Sequence, residues 1–505
     1  MPNVYSQEAV CCEQVAAKTI DPHHTILSIP TTLHHAKTHC NVATVNPFGY
    51  SVNVHSSCIC NEKLALTNRH LRDRSHLKFD ASAWTLAAKR TMKYYPRGLT
   101  TCSYREVIDG YAGSKKTLYI EAAKQLKIHG LQQRDKKVSM FVKRDKIASG
   151  DISDKAPRAI QFRSPKFNLQ FAQFIKPFEH HVYQHVTLGN YSGTRAIVKG
   201  LNNYQRAELF IQKSDNFIRP IYFMFDHVKF DSLLREEHLR STHKKYYQAH
   251  GRRRKLVECC ESQINNDCYS KCGIHYRCKA CRMSGDYDTG CGNSCVNGDC
   301  LHEVLYRSGI KKYEIMLDGD DSIVIIEQCD EDRLKCEWFE RLGFETTMDK
   351  TTNIHEVEFC RSRLMTYPKP CLVRDPLRIV SNSMVCLKDY GRGDYKRWLS
   401  AVGLCEMACN AGIPVISVLG EALTKFSDRP LYDEDTRWVM ENMAGNVETI
   451  PISINARIQF ERVWGVSPFH QVLLEKYFRT STDECYSYAQ SFYKSKFNYQ
   501  SYVRA

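Results

Sequence analysis

The sequence predicts an α+β fold, an antiparallel sheet core with helices on one face, on three observations. The apolar runs IYFMF (221–225), YEIML (313–317) and SIVII (322–326) have the length and the β-branched and aromatic content of strands. The last two flank Asp318-Gly319-Asp320-Asp321, and Asp-Gly between apolar runs is the strongest short-range hairpin signal. Around them the order is strand, helix, helix, hairpin and helical tail, which fits a sheet backed by helices.

Taken in order, residues 1–60 are rich in His and Cys and carry no readable period. Glu106 to Leu131 reads as one helix, with Tyr111, Leu118, Ala122, Leu126 and Ile128 among its apolar positions. A basic stretch follows over 136–168, where VSMFV and AIQF alternate as strands do. The strand at 221 ends in acid at Asp226 and Asp231, and 232–250 reads as an exposed helix of mixed charge. Another helix is predicted from Thr289 to about Ser308. Beyond Pro368 the pattern is helical and aromatic, ending in a tail with Tyr486, Tyr488, Phe492, Tyr493, Phe497 and Tyr499.

The 505 residues are 43% hydrophobic and 25% charged, an ordinary globular composition with room for several subdomains. A formal net charge of +15 fits a polyanionic partner or a basic solubility balance, and charge alone leaves the two even. No apolar run approaches a membrane span, and MPNVYSQEAV lacks the character of a secretory signal. The 23 cysteines are therefore expected to be mostly reduced thiols of an intracellular chain.

Three aspartates in four residues demand an explanation. Two carboxylates about 4 Å apart repel by roughly 4 kcal/mol at an effective dielectric near 20. An EF-hand is excluded, because counting from Asp318 puts Ile323 where Gly is needed and Cys329 where Glu is needed. If the strand ending at Asp226 lies beside the hairpin, Asp226 can face Asp320, and carboxylates from two strand ends are how proteins hold Mg2+. In RMSGDYDTGCGN (282–293), Ser284-Gly285 makes a turn, while Thr289 and Asn293 share a helical face that could bind a ribose hydroxyl. They could equally be ordinary helix-start residues. Cys268, Cys272, Cys278 and Cys281 admit a structural zinc, though a reduced thiol-rich strand pair is the favoured reading. The His-rich head (His23, His24, His34, His35) is weaker still.

DHVKFD, SGDYDTGCGN, GDD and EVEFCRS (356–362), in that order, resemble the RNA-dependent RNA polymerases of positive-strand RNA viruses, in their tombusvirus-like form. FVKRDKI (141–147) and APRAIQFRSPKFNLQFAQFIKPFEHHVY (156–183) are similar to that family's basic fingers motif, and YAGSKKTLYIEAA (111–123) to the segment before it. The resemblance implies a right hand. Residues 1–100 would join fingers and thumb, 101–215 form the fingers, 216–365 the palm with a fingers-side insertion around 250–281, and 366–505 the thumb. It implies that Asp226 and Asp320 carry two Mg2+ (or Mn2+) ions, with Asp321 assisting as a further metal ligand; Asp318 is read as shaping the turn. Asp231 and Asn293, supported by Ser284, Gly285 and Thr289, would check the ribose 2′-hydroxyl. Lys143, Lys146, Arg158 and Arg163 would hold triphosphate and template, and Lys350 would protonate the leaving pyrophosphate. Asp288 departs from the pattern, since relatives commonly carry Asn there, and it adds negative charge near the nucleotide pocket.

The partners implied are RNA template and product, NTPs, and an upstream viral replication protein supplying attachment to host membranes, at replication complexes in the host cytoplasm. The rivals are a reverse transcriptase, against which Ser284, Thr289 and Asn293 argue, and a non-catalytic zinc and RNA-binding protein.

Overall fold

A computed structural model of the chain describes residues 4–12, 14–31, 39–43, 52–148, 150–388, 390–443 and 445–480. The aromatic tail and His34 and His35 lie outside the described residues. At the centre is a four-stranded antiparallel sheet in the order Tyr313–Asp318, Asp321–Glu327, Pro220–His227, Thr346–Thr351. The hairpin forms where Asp-Gly placed it: Asp318 opposes Asp321, and Gly319 takes φ +71°, a left-handed conformation that suits glycine.

Alternation sends side chains to two buried faces. Ile315, Leu317, Val324, Ile326, Phe223 and Phe225 pack with the long helices Ala81–Thr91, Pro165–His185, Glu236–His250 and Thr289–Ser308. Met316, Ile323, Ile325 and Tyr222 pack on the opposite face with Ala207 and Phe210 of the Asn203–Ser214 helix and with Leu364 and Leu372 of a small two-stranded sheet. The expectation of helices on one face is corrected accordingly, for both faces are covered. That is why these strands read as continuous apolar runs.

A second sheet of five strands has the order His24–Ser28, His275–Lys279, Asn265–Ser270, Val138–Val142, Ala159–Phe162. The two predicted strands of the basic stretch are its last two members. An N-terminal strand forms one edge, while Val4–Glu8 pairs instead with His39–Ala43, which in turn pairs with Val385–Cys386 in a separate three-stranded sheet. The remaining chain to Thr480 is mainly helical, including Arg392–Cys409, Ile416–Thr424, Glu434–Asn442, Ile454–Trp464 and Pro468–Thr480.

Three sequence expectations change. The helix read over 106–131 is two helices, Tyr104–Asp109 and Gly113–His129, because Gly110 closes the first and Gly113 sits at φ +56°. The helix read as exposed is Glu236–His250, whose His238, His243, Lys245 and Tyr246 are all buried. Its charges confused the reading, since Lys245 is neutralised inside the fold by Asp299 at 2.6 Å. The apolar strand stops at His227, leaving Asp231 in the one-turn helix Phe230–Leu233. Thr289–Ser308 agrees with its expected bounds and ends at Gly309, φ +65°.

Candidate active site

The central sheet brings its acids together at one end. The register pairs Ser322 with Phe225, so one step further Asp321, rather than Asp320, continues opposite Asp226. Asp226, Asp320 and Asp321 are all exposed there, while Phe225 and His227 on either side of Asp226 are buried. Burial raises the pKa of Asp226, and the charge of Asp320 raises it further. Asp321 is pushed up to about 6 by burial and by Asp320, Asp226 and Asp318. Three carboxylates are thus held where they repel one another.

Asp318 does not share that crowding. It is ion-paired to Lys199 and, at 2.6 Å, to Arg206, and these cations hold its carboxyl below the usual range despite its burial. The turn is clamped from below by the Thr289–Ser308 helix. Ser294 Oγ accepts from Gly319 N at 3.1 Å, and Asn297 Nδ2 donates to the carbonyls of Gly319 and Asp320 at 3.0 and 3.1 Å. Asn297 Oδ1 meets His227 Nε2 at 3.1 Å, tying the hairpin to the strand that carries Asp226. Sequence reasoning passed over Ser294, Asn297 and His227. The signal available was their position: Ser294 and Asn297 are three apart, one helical face beside Asn293.

Beside the acids lies a polar pair. Asn293 Nδ2 donates to Asp231 Oδ1 at 2.7 Å. Burial, with Asp320 adding to it, pushes the Asp231 carboxyl up to about 6. Thr289, Ser284 and Gly285, expected beside that pair, are engaged in local structure instead. Thr289 Oγ1 donates to the carbonyls of Met283 and Asp286 at 2.6 and 2.9 Å, closing its own turn rather than opening towards the acids. Ser284 Oγ accepts from Gln161 N at 3.1 Å. Gly285 N donates to Gln161 O at 2.7 Å, and a Cβ there would stand 2.7 Å from Phe162 Cβ. This turn therefore docks on the Ala159–Phe162 strand.

The predicted cations divide. Arg158 donates to Asp145 at 2.5 and 3.1 Å, and the charges of Asp145, Asp320 and Asp231 all favour its protonated form. Lys143 shares Asp145 at 3.3 Å. Lys146 Nζ donates to Asn382 O at 2.8 Å and lies 5.9 Å from the Trp398 ring, bridging to the C-terminal helical region. Arg163 is fully buried, paired with Asp286 and Asn266 and donating to the carbonyls of Lys136 and Ser262, so it holds the interior together instead of facing phosphate. Lys350 also moves out of the site. It pairs with Glu331 and sits opposite Phe223, while Thr347 opposes Asp226. Three strand residues separate those levels, about 10 Å. Arg361, unassigned from sequence, stands near Asp321, and burial together with Arg378 and Arg158 lowers its pKa.

The cysteines do not form the tetrathiolate. Among the described residues no group of three or more His, Cys, Asp or Glu is gathered as a metal site. Cys278 Sγ lies 3.9 Å from His70 Nε2 and Cys281 Sγ 3.7 Å from His24 Nε2, while the Cys272 amide donates to Glu62. Asp226, Asp320 and Asp321 nonetheless present exposed carboxylate oxygens, the donor type a divalent ion takes, and a cation would relieve their repulsion.

The model of a family described as viral RNA dependent RNA polymerase matches residues 29–485. The chain belongs to this viral RNA-dependent RNA polymerase family. It is 27% identical over 458 residues to the RNA-directed RNA polymerase of Tobacco necrosis virus (strain A), covering 85% of this chain and 62% of the relative. It is 27% identical over 409 residues to that of Oat chlorotic stunt virus (isolate United Kingdom), covering 75% and 54%. With that of Groundnut rosette virus (strain MC1), identity is 30% over 400 residues, covering 75% and 46%. This polymerase-family chain thus spans about half to three-fifths of the length of these relatives, and enzymes of the family generally use divalent metal ions.

A pH dependence follows from the carboxylates. Asp321 and Asp231, near 3.8 when unfolded, hold their protons up to about 6 in the folded chain. The native state therefore binds more protons between those values, so this pair's contribution to stability rises as pH falls from about 6 to 4, while protons compete with cations. Calorimetric titration with Mn2+ is expected to show affinity falling steeply between pH 7 and pH 5. A pH-independent affinity would contradict the assignment.

Proposed function

We propose that this chain synthesises RNA on an RNA template, adding nucleoside monophosphates from NTPs to a growing 3′-hydroxyl. The observation that carries this reading is the convergence of Asp226, Asp320 and Asp321 at one sheet end, beside the Asp231–Asn293 pair. In the right-hand description, 101–215 are fingers, 216–365 palm and 366–505 thumb, with 1–100 joining fingers and thumb.

Asp226, Asp320 and Asp321 would hold two Mg2+ or Mn2+ ions, which when bound supply charge neutralisation at the attacking and leaving oxygens. The chain's own residues position the reactants. Asp231 and Asn293 present an acceptor and a donor to the ribose 2′-hydroxyl, and a site built for that hydroxyl rejects the sugar lacking it. Arg158 and Arg361 offer planar forks matched to phosphate oxygens. The 3′-hydroxyl loses its proton to solvent, its oxygen bonds to the α-phosphorus as the bond from that phosphorus to the bridging oxygen breaks, and pyrophosphate leaves. Such chemistry depends mainly on positioning and electrostatics.

No helix among the described residues is long and apolar enough to cross a membrane. For the cell, the proposal is attachment to host cytoplasmic membranes through an upstream viral replication protein, as in the family the sequence resembles. The test of activity is a purified chain given a primed or unprimed RNA template, Mg2+ or Mn2+, and either NTPs or dNTPs. Incorporation of NTPs over dNTPs is expected, and a preference for dNTPs would favour the reverse transcriptase. RNA affinity is also expected to fall steeply with salt in a filter-binding series, since phosphate contacts release counterions. A flat response would remove the cationic channel from the account.

A further inference from the structure

Asp288, which departs from the family pattern, does not face the nucleotide pocket. Its carboxylate is fully buried, accepting from Arg282 NH1 at 2.7 Å, Gln263 Nε2 at 2.8 Å and Tyr246 OH at 3.0 Å. Arg282 is equally buried, and its Nε donates to Asn293 Oδ1 at 3.2 Å. Its remaining nitrogen, NH2, has no hydrogen-bond partner among the described residues. A buried guanidinium with a donor left over is retained at a cost, which asks what the other two donors accomplish.

The answer lies in the Asn293 amide, whose oxygen and nitrogen occupy nearly the same shape. A guanidinium has no acceptor, so Asn293 must turn its oxygen towards Arg282. An ionised carboxylate has no donor, so Asn293 must turn its nitrogen towards Asp231. Both demands are met at once. Without Arg282 one of the two constraints is lost: the amide oxygen has no donor to hold it, and Asp231 alone is left to set the side chain.

Resting on the polymerase reading, we propose that Arg282, anchored by Asp288, is a positioning residue for ribose selection, setting the amide orientation of Asn293 and through it the free acceptor of Asp231. The order is Asp288 to Arg282 to Asn293 to Asp231, and only the last two meet the sugar. Gly292 belongs to the same device. A Cβ there would stand 2.5 Å from Arg282 NH2 and 2.8 Å from its Cζ, so any larger residue pushes the guanidinium off its partners.

The test compares kcat/KM for an NTP and its 2′-deoxy counterpart in the full chain. Arg282→Lys keeps the charge but not the fork, and should lower the NTP preference by about tenfold, most of it in the NTP KM. Gly292→Ala deletes no polar group and improves helix propensity, so it covers the case in which Arg282→Lys fails to fold, and it should lower the preference too. Asn293→Ala should erase most of the preference, and adding Arg282→Lys to it should change little further, because residues acting through one another are not additive. Equal loss for both sugars, an unchanged preference in either folded variant, or full additivity with Asn293→Ala would overturn the proposal. If the parent chain makes no RNA at all, it is the polymerase reading that fails, a result distinct from an active enzyme with unchanged preference.

Discussion

Asp320→Asn is expected to reduce RNA synthesis by on the order of a thousandfold or more, several kcal/mol of transition-state stabilisation, without harming the fold. The Asp320 side chain is exposed, and its charge raises the proton affinity of Asp226, Asp231 and Asp321. Replacing it with an amide removes repulsion, so the variant should melt no lower than the parent. The turn itself is unaffected, because the clamp from Asn297 takes the Asp320 carbonyl and not its side chain. Activity and stability should therefore separate. The check is a primer-extension rate alongside a thermal melt of the same preparation, and a folded variant working at the parent rate would remove Asp320 from the chemistry.

The largest expected effect on stability comes from Lys213→Met. Lys213 and Glu314 form an ion pair at 2.8 Å with both side chains fully buried. Glu314 also accepts from Ser192 N, and Lys213 donates to Thr194 Oγ1 at 2.7 Å. Burial lowers the Lys213 pKa to about 8, with Glu314 acting in the opposite direction. Removing the lysine leaves a buried carboxylate without its counter-charge, which typically destabilises by about 3–5 kcal/mol. Glu314 lies on the strand that leads to the acid turn, so the loss should reach activity as well. Chemical denaturation measures the loss, and Lys213→Met with Glu314→Leu should recover much of it. A single variant within about 1 kcal/mol of the parent would show that the pair is not the anchor described.

The hairpin was legible because a local signal, Asp-Gly between apolar runs, coincides with the global demand for two buried strands. The same holds for Thr289–Ser308, with a glycine stop at its end. The sequence brought Asp226, Asp320 and Asp321 to attention because an acid beside an apolar strand end has few structural uses, whereas Asp231 and Asn293 were singled out as a pair through the family resemblance, and the fold sets that pair beside the acids. The failures share one physical cause: a charged residue looks alike in sequence whether it meets solvent, substrate or a buried partner. Arg163 sits in a basic stretch, yet Asp286 and Asn266 claim it inside the fold. Lys245 lies in a run of charge, yet it is sealed against Asp299. Lys350 has the right chemistry, yet the strand register sets it about three residues from the level of Asp226. Asp288 looked like an added charge near the nucleotide, and Arg282 cancels it. Pairing across more than a hundred positions, as between Arg163 and Asp286, leaves no periodic trace for a sequence to show.

Template-directed nucleotidyl transfer at these carboxylates requires that the template base choose the nucleotide. The most direct measurement is labelled-nucleotide incorporation by the purified chain on poly(U), with each of the four NTPs supplied separately and Mn2+ present. Incorporation of AMP alone is expected, abolished by EDTA. Incorporation independent of the template base, or none with any NTP by a folded chain that binds RNA, would contradict it.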